Sequence, residues 1–196
     1  MSLRQARHWV FDMDGTLTVA VHDFAAIRRG LEIPESDDIL QHLAALPMAE
    51  AARKRAWLHE HERELARAAR PAPGAYALLD TLHRRGDRLG ILTRNAHDLA
   101  LLTLGTLGML AFFDASDILG RDEARPKPDP DGLLSLAGKW GVAPAELVMV
   151  GDYHFDLACA RAAGARNVLV NTPDNPWPEL TDQHAADCAA LRAMLG

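Results

Sequence analysis

The stretch Trp9-Val10-Phe11-Asp12-Met13-Asp14-Gly15-Thr16 decides how this chain is read. An apolar run of strand length stops at two carboxylates one residue apart, and a glycine follows at once. In an extended segment, positions i and i+2 project to the same side. Asp12 and Asp14 therefore face one site, and two close anions repel unless a cation or a proton intervenes. That points to a divalent-metal site with a carboxylate free to act as nucleophile. A polar strand-to-turn exit would use the same residue types, since Asp and Gly are ordinary turn residues. The downstream sequence decides between the two.

Working outward, apolar runs recur at His8-Phe11, Arg88-Leu92, Phe113-Ile118, Leu147-Val150 and Asn167-Val170. Such runs suit parallel strands covered on both faces. Helical stretches lie between and after them: Gly74-Arg85, Ala96-Leu107, Asp129-Trp140, Phe155-Ala163 and a last one near Ala185-Leu195. Several end at glycines, as helix C-termini often do. The alternation predicts an α/β fold, a doubly wound parallel sheet with its ligand site at the strands' carboxyl ends.

One stretch breaks the alternation. From about Val19 to Arg70 the pattern is helical only. A segment near Asp23-Arg29 is followed by a helix with Ser36 as N-cap, and Ile39, Leu40, Leu43 and Leu46 form a stripe at helical spacing. Pro47 marks a restart, and Met48 to Ala69 reads as a long Ala/Arg/Glu-rich helix. A helical block placed directly after the first strand is positioned to cover the catalytic face as a lid; a purely structural subdomain is the other reading.

Three more clusters follow strands. Thr93-Arg94-Asn95 puts a hydroxyl, an amide and free backbone N–H groups at a strand-to-helix junction, where an anion can bind; helix capping is the competing reading. Lys127 is one of three lysines, with Lys54 and Lys139, in a chain that otherwise uses arginine. Held between Pro126 and Pro128, its ammonium suits a fixed point charge beside phosphate and carboxylate. Finally, Asp152 sits at the end of Leu147-Val150 and Asp156 one helical turn later, so both approach one cation. Oxygen-rich, carboxylate-dominated surroundings are what magnesium prefers.

With these residues in order, the chain resembles the haloacid dehalogenase-like hydrolase superfamily along essentially its whole length. The matching elements are Asp12-Met13-Asp14-Gly15-Thr16, Thr93, Lys127 and Gly151-Asp152 through Asp156. The resemblance implies a Rossmann-like core of residues 1–18 and 71–196, with a small all-helical C1 cap domain at 19–70. Within the superfamily the phosphoglycolate phosphatase-like branch is the most similar. It implies a magnesium-dependent phosphatase acting on a small phosphorylated metabolite. Asp12 would be the nucleophile that forms an aspartyl-phosphate, and Asp14 general acid and then base. Thr93, Arg94, Asn95 and Lys127 would bind substrate. Asp12, the Asp14 main-chain carbonyl and Asp152 would hold the metal, supported by Asp156.

Asp14 argues against two other chemistries of the superfamily. The dehalogenase pattern lacks an acid there, and the phosphonatase branch places a small residue there and uses a cap lysine, for which Lys54 is the candidate. A beta-phosphoglucomutase-like phosphotransferase shares every motif. A catalytically silent binding protein would lack one of Asp12, Asp14, Lys127 or Asp152, and none is missing.

Composition narrows the rest. The chain has 196 residues, 48% of them hydrophobic and 24% charged, with a net charge of -6, which suits a globular domain and argues against nucleic-acid binding. No long apolar run or signal peptide is read, so the expectation is a cytoplasmic protein without a membrane partner. Cys159 and Cys188 suit reduced thiols in helices. Further candidates for substrate contact are His22, Arg28, Arg29 and His42 in the helical block, with Arg94 and His154 beside the motifs. His59 and His61, two residues apart on a helix, point apart and make a poor metal pair. No feature sets the oligomeric state.

Overall fold

The computed structural model describes residues 2–20 and 23–196. Strands β1 (His8–Phe11), β2 (Arg88–Leu92), β3 (Ile118–Leu119), β4 (Leu147–Gly151), β5 (Arg166–Leu169) and β6 (Gln183–His184) form one sheet in the order β3-β2-β1-β4-β5-β6. All neighbours are parallel, and Phe11 at the end of β1 lies opposite Ile91 and Val150. The chain winds outward from β1 to β3, then returns to the other side of β1 with β4. Such a reversal leaves a crevice at the strands' carboxyl ends, and Asp12 and Asp152 follow the two strands that flank it.

Alternation along the strands builds two cores. Trp9 and Phe11 point to one face with Ile91, Val148 and Val150, where they meet Leu78, Leu79 and Leu82 of α4 (Ala75–Arg84). Leu104 of α5 (His97–Thr106) and Leu191 of α8 (Cys188–Ala193) complete that layer. Val10, Leu147 and Met149 point the other way, onto Leu133, Leu136 and Trp140 of α6 (Asp131–Trp140) and Ala160 of α7 (His154–Ala163). Covering both faces is why β1 and β4 carry almost no polar residues.

The helical block is α1 (Phe24–Leu31), α2 (Ile39–Ala45) and α3 (Met48–Arg67). It has its own small core of Ile27, Leu31, Ile33, Leu43 and Leu58, with Ile39, Leu40 and Leu46 against it. Its neck is a pair of antiparallel segments: Val19 N–H donates to the Arg70 carbonyl, and Ala72 N–H to that of Leu17, both at 2.9 Å. Helix α3 lies along α5 and is tied to the sheet domain by a His59–Asp98 hydrogen bond and a Glu62–Arg121 ion pair, each 2.9 Å.

Two local expectations are corrected and one strand is added. The strand expected at Phe113-Ile118 is only Ile118–Leu119, because Asp114 accepts from Ser116 N–H and folds Ala115–Asp117 into a 3-10 turn. Turn chemistry there overrides the apolar run. Ser36 does not cap a helix. Its hydroxyl donates to Asp37, and Asp38 caps α2 by accepting from Gln41 N–H. Strand β6, with the polar sequence Gln183-His184, joins the sheet edge unannounced by any apolar run.

Candidate active site

Asp12 leaves β1 with its N–H still paired to the Val150 carbonyl at 2.9 Å, so its carboxylate is aimed at the crevice by the sheet itself. Lys127 Nζ donates to Asp12 Oδ1 at 2.5 Å and to Asp156 Oδ1 at 2.7 Å. The lysine is 3% exposed. Burial disfavours its charge, but Asp12 and Asp156 overcome this and hold its pKa above the ordinary value. Thr16 donates to Asp152 Oδ1 at 2.8 Å and lies 3.3 Å from Asp12 Oδ2.

Oxygens of Asp12, Asp152 and Asp156 lie within 4.8 Å of one another. Burial, followed by the Asp12 charge, raises the Asp152 pKa; burial also raises that of Asp156 against the pull of Lys127. The group has more negative charge than one lysine offsets. Clustered hard oxygen donors with excess negative charge fit a small divalent cation. Two glycines make the cluster possible. A Cβ on Gly15, whose φ is +89°, would fall 2.4 Å from Asp152 Oδ2, and one on Gly151 would fall 2.3 Å from Asp156. Asp156 is held further by Tyr153 N–H, which donates to its Oδ2 at 3.1 Å.

The Asp14 carboxyl is not in this cluster. It turns to Asn95, whose Nδ2 donates to Asp14 Oδ2 at 3.3 Å. Burial and then the Asp12 charge push its pKa up to about 7. A carboxyl poised there can give a proton at neutral pH and take one back. Asn95 is otherwise spent within its own loop: its N–H donates to Thr93 Oγ1 and its Oδ1 accepts from Ala96 N–H. Asn95 thus orients Asp14, while Thr93, 3% exposed, keeps its hydroxyl proton for another acceptor.

Arg94 is fixed from three sides. Nη1 donates to the Lys127 carbonyl at 3.1 Å, the guanidinium lies 4.4 Å over the Phe155 ring, and Nη2 donates to Asp38 Oδ2 of the helical block at 2.5 Å. His154 packs at tilted angles against the rings of Tyr153, Phe155 and Trp177, and burial together with Arg94 lowers its pKa.

The other candidates lie elsewhere. Arg28 donates to the Asp37 carbonyl and His42 bonds the Asp37 carboxylate, so both serve the helical block. Arg29 is exposed, and His22 lies outside the described residues. His59 meets Asp98 while His61 stacks on Trp57, and Lys54 pairs with Glu50 along α3. Cys159 and Cys188 are free and buried, and burial pushes both thiols up to about 12.

Two residues of this region carried no motif signal. Asn171, with φ +59°, donates from Nδ2 to the Gly15 and Thr16 carbonyls, each at 2.8 Å, and so pins the loop after Asp14. Its position just past the β5 run was the only hint. Asp38 had none, because its partner is 56 residues away.

Residues 7–164 match the haloacid dehalogenase-like hydrolase family. A haloacid dehalogenase-like hydrolase domain-containing protein of Arabidopsis thaliana is 32% identical over 87% of this chain and 73% of its own length. A phosphoglycolate phosphatase of Cupriavidus necator is 32% identical over 80% of this chain and 70% of its own. The crystal structure of a hydrolase from Pseudomonas syringae superposes with a TM-score of 0.78 at 26% identity, covering 97% of this chain and 98% of that one. The matched region contains all four acids and Lys127, and on that agreement of sequence, fold and clustered residues the chain belongs to the haloacid dehalogenase-like hydrolases.

Proposed function

We propose that this protein is a Mg2+-dependent phosphatase that hydrolyses the phosphate monoester of a small metabolite through an aspartyl-phosphate on Asp12. The observation that carries the reading is the division of labour between two carboxyls two residues apart. Asp12 is drawn toward Lys127 and the acid cluster, while Asp14 is turned away to Asn95 and holds a proton near neutral pH. A nucleophile and a general acid need different surroundings: Asp12 sits against the Lys127 ammonium, while burial raises the Asp14 carboxyl toward neutral pH. The phosphatase name carried by the Cupriavidus necator relative supports the same chemistry.

In this reading Asp12 attacks phosphorus, the bond to the leaving oxygen breaks, and Asp14 gives its proton to that oxygen. Asp14, now ionised, takes a proton from the water that attacks phosphorus next. That step cleaves the acyl-phosphate and returns Asp12 as a carboxylate. Thr93 donates its hydroxyl to a phosphoryl oxygen, and Lys127 offsets the charge gathered on Asp12 and the phosphoryl group. Asp12, the Asp14 carbonyl and Asp152 would hold Mg2+, with Asp156 as support. Bound there, the ion supplies positive charge to the transferring phosphoryl group. Residues 19–70 act as a cap domain that shields the acyl-phosphate from bulk water, and residues 1–18 with 71–196 form the catalytic domain.

The test is release of p-nitrophenol from p-nitrophenyl phosphate with and without Mg2+. Metal-dependent turnover is expected, and Asp12→Asn should lower it by roughly four orders of magnitude or more with the circular dichroism spectrum unchanged. Wild-type turnover in Asp12→Asn, or none in the native protein, would overturn the assignment.

A further inference from the structure

We propose that Asn171 is a positioning residue for the metal site: by holding the Gly15 and Thr16 carbonyls it fixes the Asp152 carboxylate for the divalent cation. The inference rests on the Mg2+ part of the phosphatase reading and adds to it a residue outside the acid cluster.

Asn171 lies just past β5, the second strand out from β1 on its side of the sheet. Val170 N–H donates to the Gly151 carbonyl at 2.9 Å, so the backbone before Asn171 is tied to the strand that leads into Asp152. From there the side chain reaches the loop after β1. Nδ2 donates to the carbonyls of Gly15 and Thr16, each at 2.8 Å. These are the two residues that bear on Asp152. Thr16 Oγ1 donates to Asp152 Oδ1 at 2.8 Å. Gly15 lies so close that a Cβ on it would fall 2.4 Å from Asp152 Oδ2. One amide group therefore holds the two residues that flank both oxygens of a metal-binding carboxylate.

The loop cannot hold itself in this way. The N–H groups of Thr16, Leu17 and Thr18 all donate to the Met13 carbonyl, and that of Gly15 donates to Thr18 Oγ1. Its donors are used inside the turn, while the Gly15 and Thr16 carbonyls are bound from another strand's end. Cys188 Sγ lies 3.5 Å from the Thr16 carbonyl, but a thiol is a weak donor, which leaves the amide as the main restraint. Asparagine suits the position on two counts. Its φ of +59° is in the left-handed region, which Asn enters more readily than most side chains, and its amide supplies two N–H donors. Aspartate shares the first property and lacks the second.

Two variants separate positioning from folding. Asn171→Gly and Asn171→Ala both remove the amide, but only alanine is strained at this φ. The probe is Mn2+ alone, which takes the same kind of oxygen site as Mg2+. Unbound Mn2+ is counted by electron paramagnetic resonance in titrations of the full chain. Both variants should bind Mn2+ about tenfold more weakly than wild type, the low end of what changes to groups supporting metal ligands cost. Thermal melts of the metal-free samples should set the pair apart, with glycine melting above alanine. Affinity then follows the amide, and melting temperature follows the backbone. In a Thr16→Val background the hydroxyl that reaches Asp152 is gone, and Asn171→Gly should cost distinctly less.

Native affinity in Asn171→Gly, or a loss confined to Asn171→Ala, would overturn the role of Asn171. A loss that persists in full beside Thr16→Val would overturn the route through Thr16 to Asp152. Assays with p-nitrophenyl phosphate on the same samples keep the two levels apart. Mn2+ affinities as expected, without turnover in wild type, count against the phosphatase reading alone. Turnover in wild type with unchanged Mn2+ affinity in the variants counts against the inference alone, and a wild type that binds no Mn2+ overturns both.

Discussion

At the residue scale, Asp12 and Asp14 show how one short motif supplies two different acids. Their separation comes from neighbours that the local sequence does not contain: Lys127 for one, Asn95 for the other. Gly15 between Asp14 and Thr16 is equally constrained. Its φ of +89° lies where side chains are strained, and a Cβ there would meet the Asp152 carboxylate at 2.4 Å. Strain of that kind costs of order 1–3 kcal/mol. Gly15→Ala is therefore expected to displace Asp152 and weaken Mg2+ affinity by roughly tenfold or more, in the range found when groups supporting metal ligands are altered. A Mg2+ titration of the variant, followed by tryptophan fluorescence, checks this, and native affinity would show that Asp152 is not held by this contact.

At the scale of elements, α3 is the part of the helical block most firmly joined to the sheet domain. It packs on α5, and Glu62 meets Arg121 through two contacts of 2.9 and 3.1 Å in a partly buried setting. Asp38, the N-cap of helix α2, reaches the sheet domain through its ion pair with Arg94. Glu62→Ala should cost about 1–3 kcal/mol, because it strands the Arg121 charge where water reaches it poorly. It should also speed amide exchange in α3 more than in α4. Equal protection of α3 in the variant and the native protein would show that packing on α5 alone holds it. The helical character of this stretch was legible from its spacing. The start of α2 was not, because Ser36, Asp37 and Asp38 are all acceptable caps and only the packing of Ile39, Leu40 and Leu43 selects the third.

At the scale of the whole molecule, the sheet brings Asp12, Asp14, Asp152 and Asp156 together in a crevice with Lys127 as the enclosed cation. Asp14, Asp152 and Asp156 all have pKa values raised chiefly by burial. A carboxyl with a raised folded-state pKa contributes stability that is complete below its ordinary value near 4. That stability is lost as pH rises through the folded value, about 7 for Asp14. The metal-free protein is therefore expected to melt at a lower temperature at pH 8 than at pH 5. Because Mg2+ binds the ionised cluster, its stabilising effect should grow over the same interval. Thermal melts at both pH values, with Mg2+ and with chelator, measure this. A Mg2+ effect that is the same at pH 5 and pH 8 would show that these carboxyls do not set the dependence.

Among the described residues, no helix is long and apolar enough to cross a membrane. The α/β class, the order of most elements and every residue of the acid cluster were determined by the sequence alone. Strand runs, helix spacing and acids at strand ends are local signals with fixed periods. Tertiary structure decided what depends on partners far apart in the chain. It turned Asp14 to Asn95, set Asn171 against the Gly15 loop, added β6 to the sheet edge and placed Asp38 on Arg94. Those outcomes come from pairing across the fold, which the periodicity of a single segment does not encode.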